Sequence, residues 1–512
     1  MSQHPSPSWP LDSQEPPSIS AGSDEVGFGP EPKRRGTKRG LLIGGAAGAL
    51  LLVGGGVFAY QAALAPHGAQ PDSVIPASAL AYVRFDTDPS AGQKIAATRF
   101  LGKLPQVARQ GADLDVKKTL WTWVVDAEPQ LSALSYTTDV EPWLGDRAAL
   151  ALLPGGTKDN PNIVIALAVK DDATAKAGID KIAGTAGGTA DLEVTPKDGF
   201  ALLTPKGRGA TLLSDLAKGS LATNSAYTGD MTALGDTGIA SAWVNAKGVL
   251  DLVKGLDKGA LPFDTSQLSG AGRVSMALRF DADYVELAGS VRGGTATNSA
   301  PPVSGGATSL PDDTMAALQL NGLGDTVGRL WPLVAKSLPA DSVTQIEAGL
   351  GVSLPGDLQL VLGRSLTLAM PKQDVTSLSG AGLPTLGVKD VTTDGKRVDG
   401  LLTTMGQLGG VDNSIQHKVV GDTVFLATTD DYLARLQTPG GLGGTALFTK
   451  AVANADTATI VAFADLDALE PAYLNGVPAD YRDAVKALSG VGLSATPRSD
   501  GTSTFALRVV GN

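Results

Sequence analysis

Residues 41–60, LLIGGAAGALLLVGGGVFAY, run for twenty positions without a charge and follow directly on Lys33, Arg34, Arg35, Lys38 and Arg39. At about 1.5 Å of rise per residue, a helix of this length covers about 30 Å, the hydrocarbon thickness of a bilayer. The stretch reads as one membrane crossing. The next Lys or Arg is Arg84, and positive flanks stay on the cytoplasmic side, so the leading tail is expected inside and the long remainder outside. The bulk of the chain then has to fold as an ectodomain beyond the span.

A cleaved signal peptide is the competing reading, because Ala63-Leu64-Ala65 has the small-x-small form of a cleavage site. The leading segment of about forty residues, an apolar run beyond the usual 7 to 15, and Pro66 after the would-be cut all argue for a retained anchor. Gly44 and Gly48 form a G-x-x-x-G pair through which two such helices could approach and make a homodimer. Glycine is frequent throughout, 64 of 512 residues, so the pair is a weak signal.

The chain contains no cysteine, which excludes disulfides, thiolate metal sites, cysteine nucleophiles and a lipid-modified N-terminal cysteine. An outward-facing domain must therefore be held by its packing alone. Aromatic residues make up only 5%, so cores have to be built from Ala, Val and Leu. The net charge is -11, and residues 1–40 balance five acids against five bases, so the whole excess falls in the ectodomain. An acidic ectodomain is repelled by nucleic acid and by anionic lipid; an envelope protein or a glycan is the expected kind of partner, besides the bilayer through residues 41–60.

Residues 1–40 are rich in Pro, Ser and acids with no apolar periodicity, and read as a disordered tail open to phosphorylation at sites such as Ser6 and Ser8. Residues 61–73 form a spacer. From there strands and helices alternate irregularly: strands over 80–85, 148–153 and 163–169, a helix over 172–183, a hairpin over 193–204 turning at Lys197-Asp198-Gly199, a helix face at Leu212, Leu213 and Leu216, a strand over 240–245, and a hairpin of 274–280 with 284–291. Asp88 and Pro89 fit the cap and first position of a helix.

After a linker over 295–308, TATNSAPPVSGGAT, the organisation returns. Leu167-Ala168-Val169-Lys170-Asp171 is answered by Leu386-Gly387-Val388-Lys389-Asp390, Trp243 by Phe463, Leu213 and Leu216 by Leu433 and Leu436, and LSGAG from Leu268 by LSGVG from Leu488. These matches predict a tandem duplication, with repeats over 74–294 and 309–512. Hairpins dominate and sustained strand-helix-strand alternation is missing, which favours an α+β fold with mostly antiparallel sheets, pictured as two sheets with helices on one face each.

The segments DTDPSAGQK (Asp86 to Lys94), FLGKLP (Phe100 to Pro105), EPWLGDRAALALLP (Glu141 to Pro154) and LPGDLQLVLG (Leu354 to Gly363) resemble an actinobacterial family of membrane-anchored proteins known only as a domain of unknown function. The resemblance implies the topology above and a bacterial cell envelope. It implies no activity, cofactor or catalytic residue.

Chemistry is sparse. The three histidines, His4, His67 and His417, show no metal-ligand spacing, and no G-x-S-x-G elbow accompanies His417. Asp86, Asp88 and Ser90 begin like a calcium loop, but Ala91 and Ala97 stand where it needs Gly and Glu. Gly207-Arg208-Gly209 and residues 440–444 lack the ending of a phosphate-binding loop. Glu141 and Asp146 beside Trp143 and Arg147 are the most suggestive cluster, since an aromatic next to acids can stack a sugar. The leading expectation is a non-catalytic binding or structural module without metal or cofactor; the alternative is an envelope glycan hydrolase working through carboxylates.

Overall fold

A computed structural model describes residues 69–512, apart from 106, 108–115, 158–159, 188–191, 257–271, 294–302, 304, 340, 377–382, 408–414 and 499. The tail, the run 41–60 with Gly44 and Gly48, and most of the spacer lie outside the described residues. Among the described residues, no helix is long and apolar enough to cross a membrane. The spacer ends earlier than expected, because Pro71–Val74 is a tight turn with Pro71 and Val74 buried.

Among the described residues, the expected alternation of apolar side chains becomes sixteen strands. Eight lie in the first half: β1 (Ala81–Asp86), β2 (Leu144–Leu152), β3 (Ile163–Val169), β4 (Leu192–Lys197), β5 (Phe200–Pro205), β6 (Ala240–Asn245), β7 (Arg273–Phe280) and β8 (Tyr284–Arg292). Eight lie in the second: β9 (Thr314–Asn321), β10 (Ser365–Pro371), β11 (Gly387–Val391), β12 (Gln416–Val420), β13 (Thr423–Ala427), β14 (Ile460–Asp465), β15 (Leu488–Pro497) and β16 (Thr502–Gly511). The hairpin β4–β5 turns at Asp198 and Gly199, whose φ of 50° and 81° suit a tight two-residue connection.

The α+β class is observed, with antiparallel pairing throughout these ladders. The picture of two separate sheets is not: all sixteen strands join in one sheet, in the order β12-β13-β11-β10-β9-β14-β15-β16-β8-β7-β6-β1-β2-β3-β5-β4. Read inward from either end, each half has the same order, fourth, fifth, third, second, first, sixth, seventh, eighth. The halves meet where β8 pairs with β16. Trp243 faces Ser275, which faces Ser290; Phe463 faces Gly492, which faces Arg508. Followed along these ladders, Ala288 and Ala506 are counterparts, and they face each other across the seam. A local two-fold relation of the ladders passes between them.

Register also corrects a sequence match. Leu167 lies beyond Ala148 in the first half, and the place beyond its counterpart Leu366 is held by Asp390, not Leu386. The strings LAVKD and LGVKD are therefore out of register. Lys170 and Asp171 follow the end of β3, whereas Lys389 and Asp390 lie inside β11. Leu268 to Ala271 fall outside the described residues.

Helices cover the sheet unequally. In the first half they are α1 (Ala91–Leu101), α2 (Val116–Ala127), α3 (Asp172–Thr185), α4 (Gly209–Leu216), α5 (Ser225–Leu234) and α6 (Ala246–Leu256). The second half has α7 (Leu323–Ser337), α8 (Ser342–Leu350), α9 (Gly356–Leu362), α10 (Gly395–Gln407), α11 (Asp430–Leu436), α12 (Ala446–Ala451), α13 (Leu466–Tyr473) and α14 (Ala479–Lys486). The expected cap at Asp88 moves to Ser90, whose hydroxyl accepts from the Gln93 N–H; Asp88 is held in the preceding turn, where its own N–H donates to Asp86 at 2.8 Å.

One sheet face is closed in both halves. Leu212 of α4 with Tyr227 and Met231 of α5 packs on Tyr82, Ala151, Val164 and Trp243, while Tyr432 and Leu436 of α11 with Phe448 of α12 pack on Ala317, Ala369 and Phe463. Tyr227 meets Trp243 edge-on at 5.7 Å, and Phe448 meets Phe463 likewise at 5.2 Å. Of the helix face expected at Leu212, Leu213 and Leu216, Leu212 is buried in this core with Leu216 packed against it, and Leu213 is exposed. The end of the expected linker is core: Ala307 is fully buried, and Lys389 reaches back to donate to the Gly305 carbonyl and Ser309 hydroxyl.

At the seam, Gly289 faces Phe505, and a side chain added at Gly289 would collide with the Phe505 ring. Gly289→Ala is expected to destabilise the fold by about 1–3 kcal/mol through overpacking, read as a lower urea midpoint at unchanged slope. Combined with Phe505→Ala, it should cost less than the two single changes added together.

Candidate binding face

The cluster at Glu141 to Arg147 proves to be scaffold. Trp143 is buried, its indole N–H donating to the Asp139 carbonyl at 2.7 Å, so its ring is not available to stack a sugar. Asp146 is exposed and pairs with Lys117 at 2.9 Å. Arg147 turns the other way, donating to Asp86 at 2.9 Å with both side chains buried. Asp86, the first oxygen of the imagined calcium loop, is thus committed to an ion pair. Among the described residues no acid and histidine cluster could hold a metal ion. His417 is an exposed strand-edge residue, 3.3 Å from Asp399. The N–H groups of Gly207 and Gly209 both donate to the Glu193 carboxylate, at 2.9 and 3.1 Å, so that turn already holds an internal anion. His4 and His67 lie outside the described residues.

The feature with functional character is the second face of the sheet, which composition and motif did not single out. An antiparallel sheet with one face on the core ordinarily turns polar side chains out on the other. Here both faces are apolar. From the seam into the second half, Leu507 faces Leu493, then come Ala462, Leu318, Leu368 and Val388, each directly opposite the last on neighbouring strands. From the seam into the first half, Leu287 is followed by Leu278, Ala240, Phe85, Ala148 and Leu167. The ladder pairs bring these residues, far apart in sequence, into one row without a hydrogen-bonding side chain.

The halves cover this row differently. In the first, Ala97, Phe100 and Leu101 of α1 close over Phe85 and Phe280, and Ala175 and Ile179 of α3 close over Ala201. In the second, α7, which follows β9 as α1 follows β1, lies instead along α9, its Gly324 and Gly328 admitting Gln359 closely. Strand residues of this face consequently stay open: Leu368 is 41% exposed, Ile460 38% and Leu507 37%. The far part of α7 carries Leu330, Leu333 and Val334 exposed, Leu333 at 55%, and α8 adds Ile346 and Leu350.

A parallel row, two residues along each strand, runs through Leu320, Leu366 and Val424 and contains one acid, Asp390, between Leu366 and Val424. Asp390 is 2% exposed, and neither carboxyl oxygen has a hydrogen-bond partner. Burial pushes its carboxyl up to about 7, since an apolar surround disfavours the charged form. In the first half the corresponding place is Leu167.

Residues 40–214, about a third of the chain, match the model of a family described as "Protein of unknown function (DUF3352)". No curated protein matches. Two crystal forms of TP0453, forms I and III, are similar at 14% and 13% identity, over 46% and 45% of this chain and 82% of each of those chains, with a TM-score of 0.23 in both cases. Overlap this slight bears on neither fold nor ligand.

The two buried acids should behave oppositely. Asp86→Ala strands Arg147 without its carboxylate and is expected to cost about 3–5 kcal/mol at neutral pH, read from denaturant unfolding. For Asp390 the folded state holds its proton up to about pH 7, whereas the unfolded chain releases it near the ordinary 3.8. Folded protein thus binds more protons across that window, and stability falls as pH rises from about 4 to about 7. Asp390→Asn should flatten that part of the pH–stability curve and raise the thermal midpoint at pH 8.

Proposed function

We propose that this chain is a non-catalytic binding module of the bacterial cell envelope, held at the membrane by residues 41–60, whose open sheet face in the second half takes an apolar ligand. The observation that carries the reading is the uninterrupted apolar row combined with the exposure of Leu368, Ile460 and Leu507. Large contiguous apolar surface open to water is costly and is normally found where something docks. The family match to a domain of unknown function agrees with this reading and adds no chemistry to it.

The two halves are read as a tandem duplication within that family, in which one copy has kept its face covered and the other has opened it. Support comes from the shared strand order and from the aromatic pairs Tyr227–Trp243 and Phe448–Phe463 at like positions. Opening one of two copies leaves the other to stabilise the common sheet.

The test is a photoreactive residue placed in the full chain at position 368 or 507 in intact cells, with position 176 on the exposed surface of α3 as the control. Adducts at 368 and 507 and none at 176 are expected. Illumination that yields no adduct at either face position would remove the reading.

A further inference from the structure

We propose that α7 is a lid, whose far part swings from α9 onto the open face and lies there as α1 lies on the first half. The first half supplies the template. On α1, Ala97, Phe100 and Leu101 stand at i, i+3 and i+4 and are buried against the sheet. On α7, Leu330, Leu333 and Val334 repeat that spacing along one side of the helix, and all three are exposed. A helix arrives with its backbone hydrogen bonds already made, so it covers apolar strand residues without stranding polar groups.

The strand surface it meets is equally open. By register, Ile460 and Leu320 hold the places of Ala240 and Phe85, over which α1 closes, and Ile460 is 38% exposed. Leu333 follows the end of β9 at nearly the distance along the chain at which Phe100 follows the end of β1. The end of α9 stands on the same side of the sheet, since a side chain added at Gly363 would collide with the Asp390 carboxyl, and Asp390 shares a row with Leu366 and Val424. One movement therefore takes two apolar surfaces out of water together.

α7 also has a weak point where a hinge is needed. Pro332 stands inside the helix; it has no N–H to donate to the Gly328 carbonyl, and the bond that would join the two parts of α7 is missing. The near part is fixed, because Gly324 and Gly328 lie close against Gln359. The lid rests on the binding reading only in what it excludes: when closed it covers the face a ligand would take.

The chain has no cysteine, so an introduced pair reports unambiguously. Leu333→Cys/Ile460→Cys is made in the full-length chain, and freshly lysed cells, free of detergent, are oxidised with copper–phenanthroline. A disulfide needs the two Cα atoms within about 4.4–6.8 Å. An intramolecular disulfide forming about tenfold or more faster than in the control Leu333→Cys/Leu213→Cys, and slowed about threefold when Pro332→Ala restores the missing N–H, supports the lid. Every cysteine position is exposed, so thermal midpoints should match the parent's; Leu330→Cys/Ile460→Cys repeats the measurement if one does not. A rate equal to the control's overturns the lid, and a rate untouched by Pro332→Ala overturns its hinge. Photoadducts at 368 and 507 without the disulfide leave the binding reading standing and remove the lid; the disulfide without photoadducts does the reverse.

Discussion

The antiparallel ladder between β8 and β16 is the constraint on which the rest of the molecule depends. Each half alone would end in an exposed strand with a row of unpaired N–H and C=O groups, a standing invitation to pair with another chain. Joined from Thr502–Arg292 to Val510–Tyr284, the two edges satisfy each other. The open edges that remain are the short strands β4 and β12 at the two ends of the sheet. A chain without cysteine gains its long-range connection from hydrogen bonds and packing at this seam, where Ala288 faces Ala506 and Gly289 makes room for Phe505.

A continuous sheet has two faces, and the helices available do not suffice for both. The face bearing Trp243 and Phe463 is sealed in each half by two short helices with aromatic anchors. The opposite face is closed where α1 and α3 lie on it and open where α7 turns away along α9. That asymmetry follows from local packing: Gly324 and Gly328 present a smooth side that Gln359 fills, so α7 gains a helix neighbour and forgoes the sheet. Apolar strand residues that would otherwise be core remain in contact with water.

Polar burial follows the same division. On the sealed side, buried charge is matched, as in Asp86 with Arg147 and in Asp230 with Trp243, Arg273 and Arg292. The halves are not copies here, since Asn321 and Ser365 stand at the places of Asp86 and Arg147. On the opposite side Asp390 is buried without a partner, and its raised carboxyl is the direct result of the apolar row around it.

Strands were legible because they need only a local alternation of side chains: β3 and β6 fall where periodicity puts them, and the β4–β5 hairpin turns at its Asp-Gly pair. Helix ends were less so, as Ser90 rather than Asp88 shows, because several short polar residues in a row can each cap. Trp143 and Arg147 suggested a site only because sequence does not reveal which way a side chain points at a strand entry. The apolar run at 41–60, the cysteine count and the acidic balance are properties of the chain itself and need no fold to be known. That two strings of similar sequence stand out of register, that two halves share one sheet, and that one of its faces stays open were decided by strand pairing between residues far apart in sequence. Such pairings depend on geometry that no local pattern encodes.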